Sequence, residues 1–278
     1  MANEEQNRIW NEVNAPRFLA LRGELEKALA PFGRAAIDAL APARGDSALD
    51  VGCGFGATTT DLAFRVGPSG RVLGVDVCEP FLAAARAEAP ANVRYLSADA
   101  QTQAFDTAFD LCFSRFGVMF FDDPPAAFAN LRRALRPGGR FAAVVWAPAR
   151  QNAWVEVPLR VVTAYLPPPP PTSGPGPFSL SDPALLEQLL AGAGFSRPRV
   201  TPLSLPYPSG ATVEAAARLL LQLGPSAAIL RDAGEATERL RPVIEADLRA
   251  ALVPFATPRG IELPAMALVA TASRDASA

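Results

Sequence analysis

The sequence predicts an α/β fold, a doubly wound and mostly parallel sheet of seven strands with a helical N-terminal cap and a C-terminal helical insertion. Three observations predict it. Short apolar runs alternate with helical patterns from residue 47 to residue 147. A glycine cluster, Gly52, Gly54 and Gly56, lies where the first strand gives way to the first helix. Acidic residues, Asp50, Asp76 and Asp99, fall at three successive strand ends.

In chain order, Trp10, Val13, Phe18, Leu21, Leu25 and Leu29 form a loose apolar stripe at helical spacing. Residues 4–40 are therefore expected as one or two helices, interrupted at Pro16 and Pro31, packed on the domain or capping a ligand. Residues 48–51 form a short buried strand, and a helix follows through Thr60, Leu62 and Phe64. Residues 71–76 are the second strand, after the turn Gly67-Pro68-Ser69-Gly70. Pro80 suits the first turn of a helix over 81–88. Residues 93–97 and 109–114 are the third and fourth strands. A helix over 124–135 is capped by Asp123 and stopped by Gly138-Gly139, and 140–146 is the fifth strand.

The pattern loosens after 147. The proline- and glycine-rich stretch 167–177 predicts an exposed linker. A helix over 182–193 has Asp182 at its cap, and 198–207 is extended. Residues 212–251 are helical with breaks near Gly224-Pro225 and Pro242, and 261–272 is the last strand. We expect one domain over 1–278: a cap over 1–45, a ligand-binding core over 46–147, and a substrate or lid region over 148–278, with 212–251 serving as a lid or a dimer face. The chain is expected as a monomer or homodimer.

Composition narrows the chemistry. Half of the 278 residues are hydrophobic, enough for a sizeable core. The net charge of −2 implies no basic face, so nucleic acid is not an expected partner. Without histidine, neither a Ser-His-Asp nor a Cys-His mechanism can operate, and a metal site is not expected. Cys53, Cys78 and Cys112 form no CxxC pair and read as small apolar fillers. The N-terminus is polar, and no apolar run approaches the roughly 20 residues that span a bilayer. Cytoplasmic localisation is expected.

The glycines lie in DVGCGFG, spaced GxGxG rather than the GxGxxG of a pyrophosphate-binding turn. Glycine there lets the backbone turn sharply and approach a ligand. Asp76, 20 residues after Gly56, can accept hydrogen bonds from both hydroxyls of a ribose. Asp99 can accept one from an adenine amine. Asp50, Asp76 and Asp99 together would repel phosphate, so the ligand expected is an adenosine without it.

ALDVGCGFGATT, VLGVDVCEPFLAAAR, YLSADAQ and the block from FDLCFSRFGVMFF to GGRFAAVVW resemble the motifs of class I S-adenosylmethionine-dependent methyltransferases. The likeness is strongest to the methyltransferase-11 type, which includes the ubiquinone/menaquinone C-methyltransferases. It covers about 100 residues and implies a Rossmann-like sheet with S-adenosylmethionine as cofactor and S-adenosylhomocysteine as product. It implies that Gly52, Gly54 and Gly56, with Cys53 between them, wrap the amino-acid half of the cofactor. Asp50 would approach its ammonium group or order the loop. Asp76 would hold the ribose, Val77 would lie against the adenine, and Asp99 and Ala100 would read its edge. Ser114 and Arg115 would lie beside the sulfonium, with Phe116, Met119 and Phe120 near the acceptor. Ser114-Arg115-Phe116-Gly117 replaces the Asn/Asp-Pro-Pro-aromatic motif of amino-methylating enzymes.

The function expected is methylation of a small molecule at oxygen, carbon or nitrogen. Two other functions are weighed: a binding protein of this fold that does not methylate, and a nicotinamide-dependent oxidoreductase, disfavoured by the glycine spacing. Any general base would be Asp, Glu or Tyr; Asp122, Asp123, Glu156 and Tyr165 are weak candidates and none is assigned as catalytic.

Overall fold

The computed structural model describes residues 3–106, 108–168 and 174–276. The N-terminal segment comprises α1 (Glu4–Arg8), a π-helical stretch (Ile9–Asn14), α2 (Ala15–Ala20) and α3 (Arg22–Leu40). The core runs β1 (Ser47–Val51), α4 (Ala57–Val66), β2 (Arg71–Asp76), α5 (Glu79–Ala87), β3 (Val93–Ser97), β4 (Phe109–Arg115), α6 (Pro124–Ala134) and β5 (Leu135–Trp146). Then come α7 (Ala153–Thr163), α8 (Pro183–Gly192), β6 (Ser196–Gly210), α9 (Val213–Leu220), α10 (Gly224–Asp232), α11 (Glu235–Leu252), β7 (Ala256–Thr257) and β8 (Gly260–Ser273).

The strands of the described residues join one sheet in the order β3-β2-β1-β4-β5-β8-β6, with β1 to β5 parallel and β8 antiparallel to both β5 and β6. The order reverses between β1 and β4, the switch point where such sheets open a crevice at their carboxyl ends. All five residues of β1 are buried, as a central parallel strand requires. β6 is an edge strand, which explains how it carries Pro198, Pro202, Pro206 and Pro208: at every second position a residue without an N–H can face the open edge. Helices wind around the sheet, α4 against β1 and β2, α6 against β4 and β5, α3 across β4, β5, β6 and β8.

Several expectations are corrected. Among the described residues the sheet has eight strands, because the two-residue β7 pairs with β8 and is too short to leave a period-2 signal. Pro31 and Pro242 do not break their helices: α3 and α11 run through them, each held by a buried face on the core. Gly224 does start a new helix, in the left-handed region at φ 61°. α6 ends at Ala134, before Gly138-Gly139, because Leu135 turns extended into its buried place at the start of β5. α7 was not anticipated. Residues 169–173 of the expected linker lie outside the described residues, and the rest of it is not simply exposed: the Gly176 N–H donates to the Met119 carbonyl at 3.0 Å. Asp123 and Asp182 cap α6 and α8 as expected, accepting from the Ala126 and Ala184 N–H groups. Among the described residues no single helix is long and apolar enough to cross a membrane.

Candidate active site

A cavity of about 260 Å³ opens at the switch point, beneath the N-terminal helices. Its polar end is built by the loops that follow β1, β2 and β3. Gly52 and Gly54 line it at φ 65° and 54°. Gly52 must be glycine because a Cβ would lie 2.7 Å from Gly117 Cα, where the loops after β1 and β4 touch. A Cβ on Gly54 would meet nothing within 4 Å, so that backbone borders open space and can approach a ligand.

Asp76 lines the cavity at the end of β2. Its Oδ2 accepts from the Gly54 N–H and its Oδ1 from the Cys78 N–H, both at 2.8 Å. The carboxylate thus fixes the glycine loop while each oxygen keeps a second lone pair. Burial pushes its pKa up, against the pull of the backbone N–H groups. Asp99 lines the cavity after β3. Its Oδ1 accepts from the Gln101 N–H at 2.9 Å and from Asn3 Nδ2 at 3.1 Å, but its Oδ2 is buried with no partner. Such an orphan acceptor costs about 1–3 kcal/mol unless a ligand satisfies it.

Cys53, Val77, Ala100, Arg115, Phe116, Met119 and Phe120 also line the cavity. Arg115 makes no hydrogen bond or ion pair with a described residue, and burial lowers its pKa. Gly33 on α3 makes room for it: a Cβ there would lie 2.9 Å from Arg115 Cδ. Phe116 sits at φ 58°, a left-handed conformation unfavourable for a bulky residue, worth about 1–3 kcal/mol of strain. Its N–H donates to Val144 at 2.9 Å and its ring stacks on Trp146, which holds it there.

Three predicted site residues stand behind the wall instead. Asp50 is fully buried, its Oδ2 accepting from the Thr58 and Thr59 hydroxyls at 2.8 and 2.7 Å, so it fixes the start of α4. Burial pushes its pKa up to about 6, opposed by those hydroxyls and by the Arg115 charge. Gly56 packs on Tyr95, whose hydroxyl a Cβ would strike. Ser114 donates to the Val51 carbonyl at 2.8 Å and accepts from the Gly117 N–H at 3.3 Å, tying β4 to β1. The four candidate bases do not line the cavity either: Asp122 accepts from the Asn3 N–H, Asp123 caps α6, Tyr165 bonds Asp247, and Glu156 is exposed on α7.

Residues not anticipated complete the site. Trp154 on α7 and Tyr207 on β6 line the cavity with Trp146, and Leu223 and Gly224 reach it from the α9–α10 junction. Fully buried Asn152 orients Trp154: its Oδ1 accepts from the indole N–H at 3.2 Å and from the Met266 N–H at 3.0 Å. No local motif marks these residues, since the sheet order alone brings them to the switch point. The three cysteines are buried and free. Among the described residues no group of three metal-binding side chains gathers.

Residues 49–143 match the family model of a methyltransferase domain. The chain is 37% identical over 137 residues to nocamycin O-methyltransferase of Saccharothrix syringae, covering 47% of this chain and 49% of that one. It is 35% identical over 156 residues to demethylmenaquinone methyltransferase of Thermus thermophilus, covering 52% of this chain and 68% of that one. The chain spans about half the length of the first curated relatives it matches. Its fold resembles a putative methyltransferase from Bacillus halodurans at TM-score 0.53 and 20% identity, over 87% of this chain and 98% of that one. With the glycine elbow and the acids of β2 and β3 on one cavity, these likenesses show that the chain belongs to the methyltransferase-11 type of class I S-adenosylmethionine-dependent methyltransferases.

Proposed function

We propose that the protein is a methyltransferase that uses S-adenosylmethionine to methylate a small molecule in the cytoplasm. The observation that carries this is the buried, unpartnered Oδ2 of Asp99, on the same cavity as Asp76 and the open backbone of Gly54. Those acceptors fit a nucleoside whose free amine and ribose hydroxyls donate to them. Asp76 would hold the ribose hydroxyls, Val77 and Ala100 would flank the base, and Asp99 would accept from its amine. Gly52, Cys53 and Gly54 would wrap the amino-acid tail, and Arg115, unpaired beside that loop, would hold the tail's carboxylate. Asp50, Gly56 and Ser114 would act at one remove, by shaping the loop. Bound S-adenosylmethionine supplies a methyl group on a sulfonium sulfur, which departs as a neutral thioether.

The chain's own contribution is to align the acceptor and keep water out, a proximity effect worth up to about 7–11 kcal/mol in favourable cases. Residues 1–45 would serve as the cap, 46–147 as the cofactor core and 148–278 as the acceptor side and lid. The net charge of −2 supports a small acceptor over nucleic acid. Isothermal titration with S-adenosylhomocysteine tests the proposal. Wild type should bind, and Asp76→Asn should weaken binding at least tenfold; unchanged affinity in the variant, or none in the wild type, counts against it.

A further inference from the structure

The N-terminal cap holds two arginines in opposite circumstances. Arg22, at the start of α3, is neutralised from two sides: its Nε donates to Glu26 at 3.0 Å and its Nη2 to Glu88 at 2.8 Å. Arg17, on α2, is half-buried, and no carboxylate among the described residues pairs with it. Its Nη2 donates to the neutral Asn14 side chain at 2.8 Å, and its Nε is buried with no partner. A half-buried cation without a counter-charge is costly, because it loses part of its hydration and gains nothing in exchange.

A second cation faces it. Arg231 stands near the end of α10. Burial first, and then the Arg231 charge, push the Arg17 pKa down, and no described acid opposes them. Asp232, the acid beside Arg231, is 3.4 Å away and two-thirds exposed, where an ion pair contributes little. Both segments reach the cavity. The Arg17 guanidinium lies over the Phe18 ring, 5.3 Å from its centroid, and Phe18 lines the cavity. Gly224, the first residue of α10, lines it too, and Arg231 is seven residues further on, about 10 Å of helix. The cavity wall on this side is apolar, with Trp10, Phe18, Leu25 and Leu223.

Resting on the methyltransferase reading above, we propose that Arg17 and Arg231 together bind a carboxylate or phosphate group carried by the acceptor, whose apolar remainder enters the cavity. One oxyanion between them replaces the repulsion of two cations by two charge-assisted contacts. It also ties α2 to α10, so the acceptor's own charge draws the two segments together over the cavity.

Octanoate is the probe, titrated by calorimetry into the protein saturated with S-adenosylhomocysteine. Octanol is the uncharged control, and inorganic phosphate at matched ionic strength is the anion without an apolar tail. Wild type should bind octanoate about tenfold or more tightly than either. Arg17→Gln and Arg231→Gln should each remove most of that preference and leave octanol unchanged. Combining them should cost little more than either alone, because one missing anchor already breaks the bridge. Without ligand, Arg17→Gln should melt no lower than the wild type, since it removes an uncompensated cation; a clear fall would make Arg17 a structural residue instead. Equal affinity for octanoate and octanol, a preference that survives both substitutions, or phosphate bound as tightly as octanoate overturns the proposal. Titration of S-adenosylhomocysteine into the same proteins separates the two levels. If the nucleoside binds and octanoate gains nothing over octanol, the anion site is wrong and the methyltransferase reading stands. If the nucleoside itself fails to bind, both fall.

Discussion

Asp50 and Asp99 are both acids with one unpartnered buried oxygen, yet they stand on opposite sides of the cavity wall. Asp99 lines the cavity, so its orphan oxygen is available to a ligand. Asp99→Asn keeps the size but can turn a donor toward the adenine amine; S-adenosylhomocysteine affinity should fall about ten- to hundredfold in calorimetry, and an undiminished affinity would deny Asp99 its role. Asp50 offers a pH signature. Folding raises it from 3.8 to about 6, so the folded protein holds a proton that the unfolded chain has released. Stability should therefore fall as pH rises from about 4 to about 6, by about 3 kcal/mol at most, and level off above. Urea melts across that range, with Asp50→Asn flattening the profile, check it. The strand-end acids were legible because their spacing follows the strand rhythm. That Asp50 faces Thr58 and Thr59 was not legible, since strand periodicity does not say what a helix start will donate.

Among the elements, the first forty residues show how an apolar stripe misleads when helix geometry changes. Trp10, Phe18, Leu25 and Leu29 line the cavity, but Val13 is 41% exposed. The π-helical stretch Ile9–Asn14 widens one turn, which breaks the 3.6-residue register and swings Val13 outward. Trp10 instead meets Phe18, Phe81 and Phe120 edge-on, with centroids 5.1–6.1 Å apart. Asn11 pins the segment, donating to the Val77 carbonyl at 2.9 Å and accepting from the Glu79 N–H at 3.1 Å. Asn11→Ala should raise amide exchange across 4–20 while leaving the sheet protected, and S-adenosylhomocysteine should suppress the difference. Exchange unchanged by the variant would mean the aromatic contacts alone hold the cap. The five core strands were legible from local pattern. α7 and the place of Trp146, Trp154 and Tyr207 on the cavity were not, because these residues come from β5, α7 and β6 and meet only through the antiparallel insertion of β8.

For the whole molecule, stability and ligand binding are one equilibrium, because the cavity exists only when β1 to β5, the N-terminal cap and the α9–α10 junction are assembled together. The unfolded chain has no switch point and no glycine elbow to offer a nucleoside. A ligand that fits should therefore stabilise the entire fold, by about 2.7 kcal/mol at a hundred times its Kd. In a chain of this length that is a rise in Tm of about 5 °C or more. The same measurement separates the methyltransferase from the oxidoreductase. A dinucleotide would bring its pyrophosphate to the glycine loop, whose GxGxG spacing is not the GxGxxG of a pyrophosphate-binding turn, whereas S-adenosylhomocysteine carries no phosphate. Thermal melts with saturating S-adenosylhomocysteine should show the rise and melts with NAD should not. Asp76→Asn should lose most of the shift and, without ligand, melt below the wild type, since Asn offers one acceptor to the Gly54 and Cys78 N–H groups where the carboxylate offers two. A larger shift with NAD than with the nucleoside thioether would place a different chemistry at the same crevice.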